Sequence, residues 1–378
     1  MLGVIVLAAM LSVPKGERDA YYDKPPQNTL RDCRSEPEPY GECRLPPGLS
    51  AADAEARLAG KDTAWWREGD EFFVVARRDT DQAFLCCAAR GRMDHIDGDL
   101  WAMRLRIVDL DHATIDVSVR PGSPKVWDVY RGPAAPPAPE MTDFLRLQGR
   151  VRLLNIVSKS LDYPRDIAIY TPPGYDPSKT YPVVYMADGD LREDTPRAVE
   201  PLILSGRLPP LILVEIWSAH YDPHIRNEEY LEGWPNGGGY FLKHENFVLN
   251  EVMPFVEANY SVSRDPKLRA VSGISSSASW AISMGQRHPD IFANVIAESL
   301  VWRLVEPELD HKSSTRFFLT AGTLEPEFYK ETVKFAGLAR ADGYDVTLQT
   351  TVSGHSLTIF TPYLLTGLEW AFGSGKKQ

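Results

Sequence analysis

From residue 165 onward, six short apolar runs rich in β-prone residues recur: RDIAIYTP, YPVVYMA, PLILVEI, LRAVSG, NVIAES and RFFLTAG. Longer segments of helical character stand between them, among them FVLNEVMPFVEANY, SSASWAISMGQRH and KETVKFAGLARADG. A strand followed by a helix cannot return as a hairpin, and the next strand then lies parallel to the first. Residues 150–378 are therefore expected to form an α/β unit, a mainly parallel sheet with helices on both faces. Upstream the texture differs. EFFVVARR, QAFLCCAA, LWAMRLRIV and ATIDVSVR are short β-rich runs split by turn signals such as Arg90-Gly91 and Asp97-Gly98. That spacing predicts a small β-sandwich over 61–131. GPAAPPAPE opens a Pro-rich connector over 132–149, and residues 1–60 read as an irregular leader ending in a short helix, AADAEARLA.

A chain of 378 residues has room for a catalytic domain plus a smaller one. Its 43% hydrophobic and 25% charged content is ordinary for globular proteins, and its net charge of -11 argues against a nucleic-acid partner. Residues 2–12, LGVIVLAAMLS, resemble the hydrophobic part of a signal peptide, without a preceding basic residue or a clean A-x-A site. The run is too short for a stable membrane span. It points toward a periplasmic or secreted protein, the other reading being a buried or frayed first element. Cys33 and Cys43 bracket a turn-rich stretch and could pair in an oxidising compartment, whereas Cys86 and Cys87 read as buried apolar residues. With no C-x-x-C and no H-E-x-x-H, the sequence calls for no zinc site.

The sharpest local feature is LRAVSGISSSASWAISMGQRHP. A β-run ends at Gly273, Ile274-Ser275-Ser276-Ser277 follows, and a helix continues to Pro289. A nucleophile on so tight a strand-to-helix turn needs small residues two places before and after it. Gly273 and Ser277 fill those places. The bland alternative is a Ser-rich helix cap. Downstream order favours the nucleophile: Glu325 follows the run RFFLTAG, and His355 follows VTLQTTV in a Gly-flanked turn. Ser, acid, His is the α/β-hydrolase order. His355 would take the Ser275 proton, and Glu325 would fix its tautomer. Glu327 and Asp345 are the competing acids. Ser276 N–H, with the Gly189–Asp190 backbone after YPVVYMA, would form the oxyanion hole.

DIAIYTPPGYDPSKTYPVVYMADGD, Arg226-Asn227-Glu228-Glu229-Tyr230, SGISSSASWAISMGQRHPDIFANVIAES, AGTLEP and the later SGH follow one another in that order. Together they resemble the esterase family that contains the enterochelin (ferric enterobactin) esterases and esterase D-like enzymes, over about residues 150–373. The resemblance implies an α/β-hydrolase fold, with Arg226 and Glu229 near the substrate. It also likens 61–131 to an immunoglobulin-like (Ig-like) N-terminal domain walling the site. Two departures stand out. Ser277-Ala278 replaces the family's Gly-Gly, and Val352-Ser353-Gly354-His355-Ser356 lacks the acids usual around its histidine.

Hydrolysis of a small-molecule carboxylic ester through an acyl-Ser275 intermediate is thus the leading expectation, with no metal or organic cofactor. A siderophore trilactone is the first substrate expected, and a feruloyl or acetyl ester borne on carbohydrate the second. Trp217, Trp234 and Trp302 are candidates to stack a substrate ring, against a plain core role. A non-catalytic binding protein on a hydrolase fold is the reading from another class.

Overall fold

The computed structural model describes residues 42–87, 89–122, 128–161, 163–219, 223–234, 239–301 and 314–373. The apolar run at 2–12, Cys33 and Trp302 lie outside them.

The first part of the chain runs β1 (Glu42–Leu45), α1 (Ala51–Leu58), β2 (Thr63–Glu68), β3 (Glu71–Arg77), β4 (Phe84–Cys87) and β5 (Gly91–Arg92). It continues with β6 (Asp94–Asp97), β7 (Leu100–Ile107), β8 (Thr114–Arg120) and β9 (Asp128–Arg131). One antiparallel sheet has the order β1-β7-β3-β2 with β6 beside β7, and the other the order β5-β4-β8-β9. Their inner faces share one cluster, in which Phe72, Val74 and Leu105 meet Leu85, Ile115, Val117 and Val119. The alternation is visible on β3, whose Val75 faces the other way into a patch closed by Ala54 and Leu58 of α1. The predicted leader therefore overlaps the sheet, since Glu42–Leu45 pairs with β7. Cys43 and Cys86 are both disulfide-bonded, which corrects the reading of Cys86 as a plain buried thiol.

The second part begins with β10 (Arg150–Val157), β11 (Pro164–Thr171), β12 (Val183–Met186), α2 (Thr195–Leu204), β13 (Ile212–Ile216) and α3 (Pro223–Tyr230). Then come α4 (Tyr240–Phe247), α5 (Met253–Asn259), β14 (Arg269–Ile274), α6 (Ser276–Arg287) and β15 (Asn294–Glu298). The last elements are β16 (Arg316–Gly322), α7 (Pro326–Ala341), β17 (Asp345–Thr351) and α8 (Leu357–Phe372). The eight strands order as β10-β11-β13-β12-β14-β15-β16-β17. This sheet is mixed, a correction to the mainly parallel expectation: β10 and β11 pair antiparallel, as do β11 and β13. Residues 158–163 are too short for a crossover, so β10 and β11 had to form a hairpin. β12 through β17 pair in parallel.

Both sheet faces are covered. Val271, Val295, Ala297, Phe317 and Leu319 point into a cluster with Phe247, Trp280 and Phe335 from the helices of one side. Their neighbours Ala270, Ile296 and Phe318 point into the opposite cluster, with Val199 of α2 and Leu364 and Leu368 of α8. The FVLNEVMPFVEANY segment is helical, with one wide π-type turn at Val248–Val252 between α4 and α5. Arg226 and Glu229 sit on α3, a helix the Pro-containing sequence there did not suggest.

The two parts meet beside the last strands. Leu324 and Val352 belong to the sandwich cluster. Thr114 of β8 bridges Ser353, and its N–H donates to Val352 O at 2.9 Å. Among the described residues no helix is long and apolar enough to cross a membrane.

Candidate functional site

The C-terminal ends of β12, β14, β15, β16 and β17 share one edge because those strands are parallel, and an open sheet presents its ligands there. Three residues on this edge adopt left-handed backbone without being glycine: Asp188 (φ 56°), Ser275 (φ 57°) and Ser299 (φ 54°). Such strain costs of order 1–3 kcal/mol per residue and persists where the surroundings fix it, often at functional sites.

Ser275 stands at the turn between β14 and α6, with ψ −126°, and its hydroxyl caps no amide of the helix. That removes the cap reading. Its N–H donates to Glu298 O at 2.9 Å, which ties the turn to β15. Gly273 is obligatory: a Cβ there would fall 2.0 Å from Ser277 O. Ser277 stitches the turn. Its Oγ accepts from Ile274 N–H at 2.8 Å and lies 2.6 Å from Asp188 Oδ2. Ser276, the first residue of α6, offers an amide that no turn of the helix uses. Its hydroxyl donates to Asn227 Oδ1 at 2.6 Å.

Glu325 and His355 come together across the ends of β16 and β17. His355 Nδ1 lies 2.7 Å from Glu325 Oε2. The other oxygen, Oε1, accepts from Ser299 Oγ at 2.5 Å and from Gly322 N–H at 2.7 Å. Gly322 is what lets the two loops approach, since a Cβ there would fall 2.0 Å from Ser353 O. Leu324 N–H then donates to Ser353 O at 2.9 Å. The His355 ring stacks on Phe328 at 4.1 Å and meets the edge of Phe360 at 5.0 Å. Phe360 shares a cluster with Ile274, the residue before Ser275, which brings the histidine and the elbow to one place. Glu327 is exposed on the first turn of α7 and Asp345 begins β17 at its far end, so neither takes the acid position.

Gly189 and Asp190 open a 3-10 turn after β12. Its internal bonds use the amides of Leu191 and Arg192 and leave those of Gly189 and Asp190 out of the pattern. Gly189 leaves no space for a side chain, because a Cβ would fall 2.8 Å from the Glu215 backbone. Asp190 turns its carboxylate away onto Ser218, accepting from N–H at 2.8 Å and from Oγ at 3.0 Å. Burial, then the nearby Asp188, raises its pKa.

Arg226 and Glu229 each pair with an opposite charge. Arg226 clamps buried Asp188 with two bonds, Nε to Oδ1 at 2.7 Å and Nη2 to Oδ2 at 2.6 Å. It thus braces the turn that carries Gly189. Glu229 is wholly buried in a pair with Arg165 at 2.5 Å and also accepts from Tyr163, so it does not reach the site edge. Trp217 packs over Gly189. Sequence reasoning missed Ser299, although Glu298-Ser299 directly after NVIA was the available signal. No cluster of metal-ligating side chains occurs among the described residues.

The fold is one seen in esterases of the α/β-hydrolase type. Residues 158–334 match the family described as "Putative esterase". The fold is similar to that of the enterobactin esterase of Shigella flexneri, with a TM-score of 0.64 at 16% identity, covering 84% of this chain and 97% of that one. The ferric enterobactin esterase of Salmonella typhimurium gives 0.62 at 17% identity, over 84% and 98%. A ferulic acid esterase of Anaeromyces mucronatus gives 0.50 at 17%, over 62% of this chain and 94% of that one. In sequence, the chain is 24% identical over 241 residues to the uncharacterized protein YbbA of Bacillus subtilis, spanning 56% of this chain and 94% of YbbA.

Proposed function

We propose that the protein is a serine carboxylesterase. One observation carries the reading: His355 Nδ1 held at 2.7 Å by buried Glu325, on loops beside a strained Ser275 elbow. With Nδ1–H committed to the carboxylate, Nε2 is left as the basic nitrogen. In the proposed reaction it takes the Ser275 proton as Oγ attacks the ester carbonyl. The tetrahedral oxyanion is met by Ser276 N–H and the Gly189–Asp190 backbone. Collapse expels the alcohol, which leaves with the proton from His355. Water, activated by the same imidazole, then hydrolyses the acyl-enzyme and restores Ser275.

The departures from the family that motivated a non-catalytic reading have local answers. The Ser277 hydroxyl bonds the turn itself, and Glu325 supplies the acid missing around His355. As substrate we propose a trilactone of a catecholate siderophore. Supporting it is the two-part layout shared with enterobactin esterases over 84% of the chain, with the 61–131 segment taken as an Ig-like wall. Disulfide bonding at Cys43 and Cys86 supports an oxidising compartment. The test is kcat/KM for a catecholate trilactone, methyl ferulate and p-nitrophenyl acetate, with Ser275→Ala as the blank. The trilactone should lead by at least tenfold; a tenfold lead for the ferulate would overturn the substrate assignment.

A further inference from the structure

Among the buried charged residues that the proposed hydrolytic cycle does not use, Arg192 and Glu298 touch its machinery. Glu298 ends β15, and its carbonyl accepts the Ser275 N–H at 2.9 Å. Its side chain is fully buried, with Oε1 2.6 Å from Arg192 Nη2. Arg192 closes the turn that carries the proposed oxyanion donors, its own N–H donating to Gly189 O at 3.0 Å. The next residue, Ser299, holds Glu325. Glu298 Oε2 and Arg192 Nε have no hydrogen-bond partner among the described residues.

A buried pair joined by one contact is a poor source of stability, because desolvating both charges offsets their attraction; fixing register is the best attested use of such pairs. We infer that Arg192 and Glu298 are positioning residues, an ion pair that sets the oxyanion turn against the Ser275 elbow. The inference rests on the esterase reading. Neither residue touches substrate; they act through the Gly189–Asp190 amides and the Ser275 backbone. An oxyanion donor out of place weakens the transition state and leaves ground-state binding alone, so kcat should fall with KM unchanged.

The pair should also shape the pH dependence. Facing Glu298 are Arg192 from the oxyanion turn, Glu325 from the acid loop and Tyr363 from α8. On its other side Arg192 meets the field of buried Glu215, with Glu193 and Asp194 near. Burial, opposed by Arg192 and reinforced by Glu325, raises the Glu298 carboxyl to about 7. As pH falls through that value Glu298 takes a proton and the pair loses its attraction. Because that protonation adds to the one that silences any general base, the acid limb of log kcat/KM against pH should be steeper than a slope of 1 over about one to two decades of activity.

The experiment compares wild type, Glu298→Gln, Arg192→Met and Arg192→Lys on p-nitrophenyl acetate, with fluorophosphonate labelling and thermal melts alongside. Glu298→Gln and Arg192→Met should lose roughly ten- to a hundredfold in kcat, part of the ~10²–10³-fold cost of deleting such a donor. Their acid limbs should fall to a slope of about 1, and Arg192→Lys should stay within roughly threefold of wild type. If Glu298→Gln fails to fold, Arg192→Met decides. Wild-type kcat in both variants, or an unchanged slope, would overturn the inference while the esterase reading stands. A wild type that neither labels nor hydrolyses any ester would sink the esterase reading itself.

Discussion

Replacing Glu325 by glutamine tests the acid through the geometry around it. Oε1 receives two donors, Ser299 Oγ and Gly322 N–H, while Oε2 faces His355 Nδ1. An amide has only one oxygen, and the two donors draw it to the Oε1 place. The NH2 group then points at His355, Nδ1 must accept, and the proton moves to Nε2, where it blocks removal of the Ser275 proton. Turning the amide round restores the tautomer but sets NH2 against Gly322 N–H, a buried donor that cannot rotate. Leaving such a group unpaired costs about 1–3 kcal/mol, a factor of roughly 5 to 150. Loss of the charge that steadies the imidazolium comes on top, and the comparable change in a serine protease costs about 10⁴ in kcat. We expect a fall of roughly 10³–10⁴ for Glu325→Gln, measured as kcat across pH on p-nitrophenyl acetate. Glu327→Gln, on the exposed side of α7, should match wild type. A Glu325→Gln enzyme within tenfold of wild type, or a collapse of Glu327→Gln instead, would refute this reasoning.

Gly273→Ala would place a methyl group 2.0 Å from Ser277 O, so it should melt earlier by about 1–3 kcal/mol or more and lose fluorophosphonate labelling. Full labelling would mean that the elbow has room to spare. Leu324→Ala should cost about 2–5 kcal/mol and also lower kcat, because this residue of the sandwich core precedes Glu325. Leu85→Ala, in the same cluster but away from that loop, should melt earlier without the kcat loss, and equal kcat values for the two would end the distinction. Glu298 binds a proton more tightly in the fold than its ordinary 4.5, at about 7. The native state therefore holds the extra proton between those values, and stability should fall as pH rises through the interval. The bound is about 3 kcal/mol. Urea titrations at pH 5 and 8 should show this drop in wild type and a flatter response in Glu298→Gln; equal responses would count against it.

What the sequence disclosed follows from how local each constraint was. The elbow was legible because Gly273, Ser275 and Ser277 are close neighbours and the geometry demands small residues there. The meeting of Glu325 and His355 followed from strand order, since each lies in the loop after a strand of one parallel set. The antiparallel margin was missed because RVRLLNIV, at the sheet edge, is interrupted by Arg150, Arg152 and Asn155 and does not read as a continuous buried run. Arg226 and Glu229 could not be sorted by sequence. Both are polar residues of one short helix, yet three residues of rotation put one against Asp188 and the other into the buried pair with Arg165. The joint between the sandwich and the loop that carries His355, through Thr114 and Ser353, is a contact between distant segments that no local pattern records.

The central claim is that Ser275 is an activated nucleophile. The most direct measurement is fluorophosphonate labelling of the full chain, followed by mass mapping of the adduct, for wild type, Ser275→Ala and Ser277→Ala. A single adduct on Ser275, absent in Ser275→Ala and present though slowed in Ser277→Ala, is the predicted result. An adduct on Ser277, or none on a folded wild type, would contradict the account.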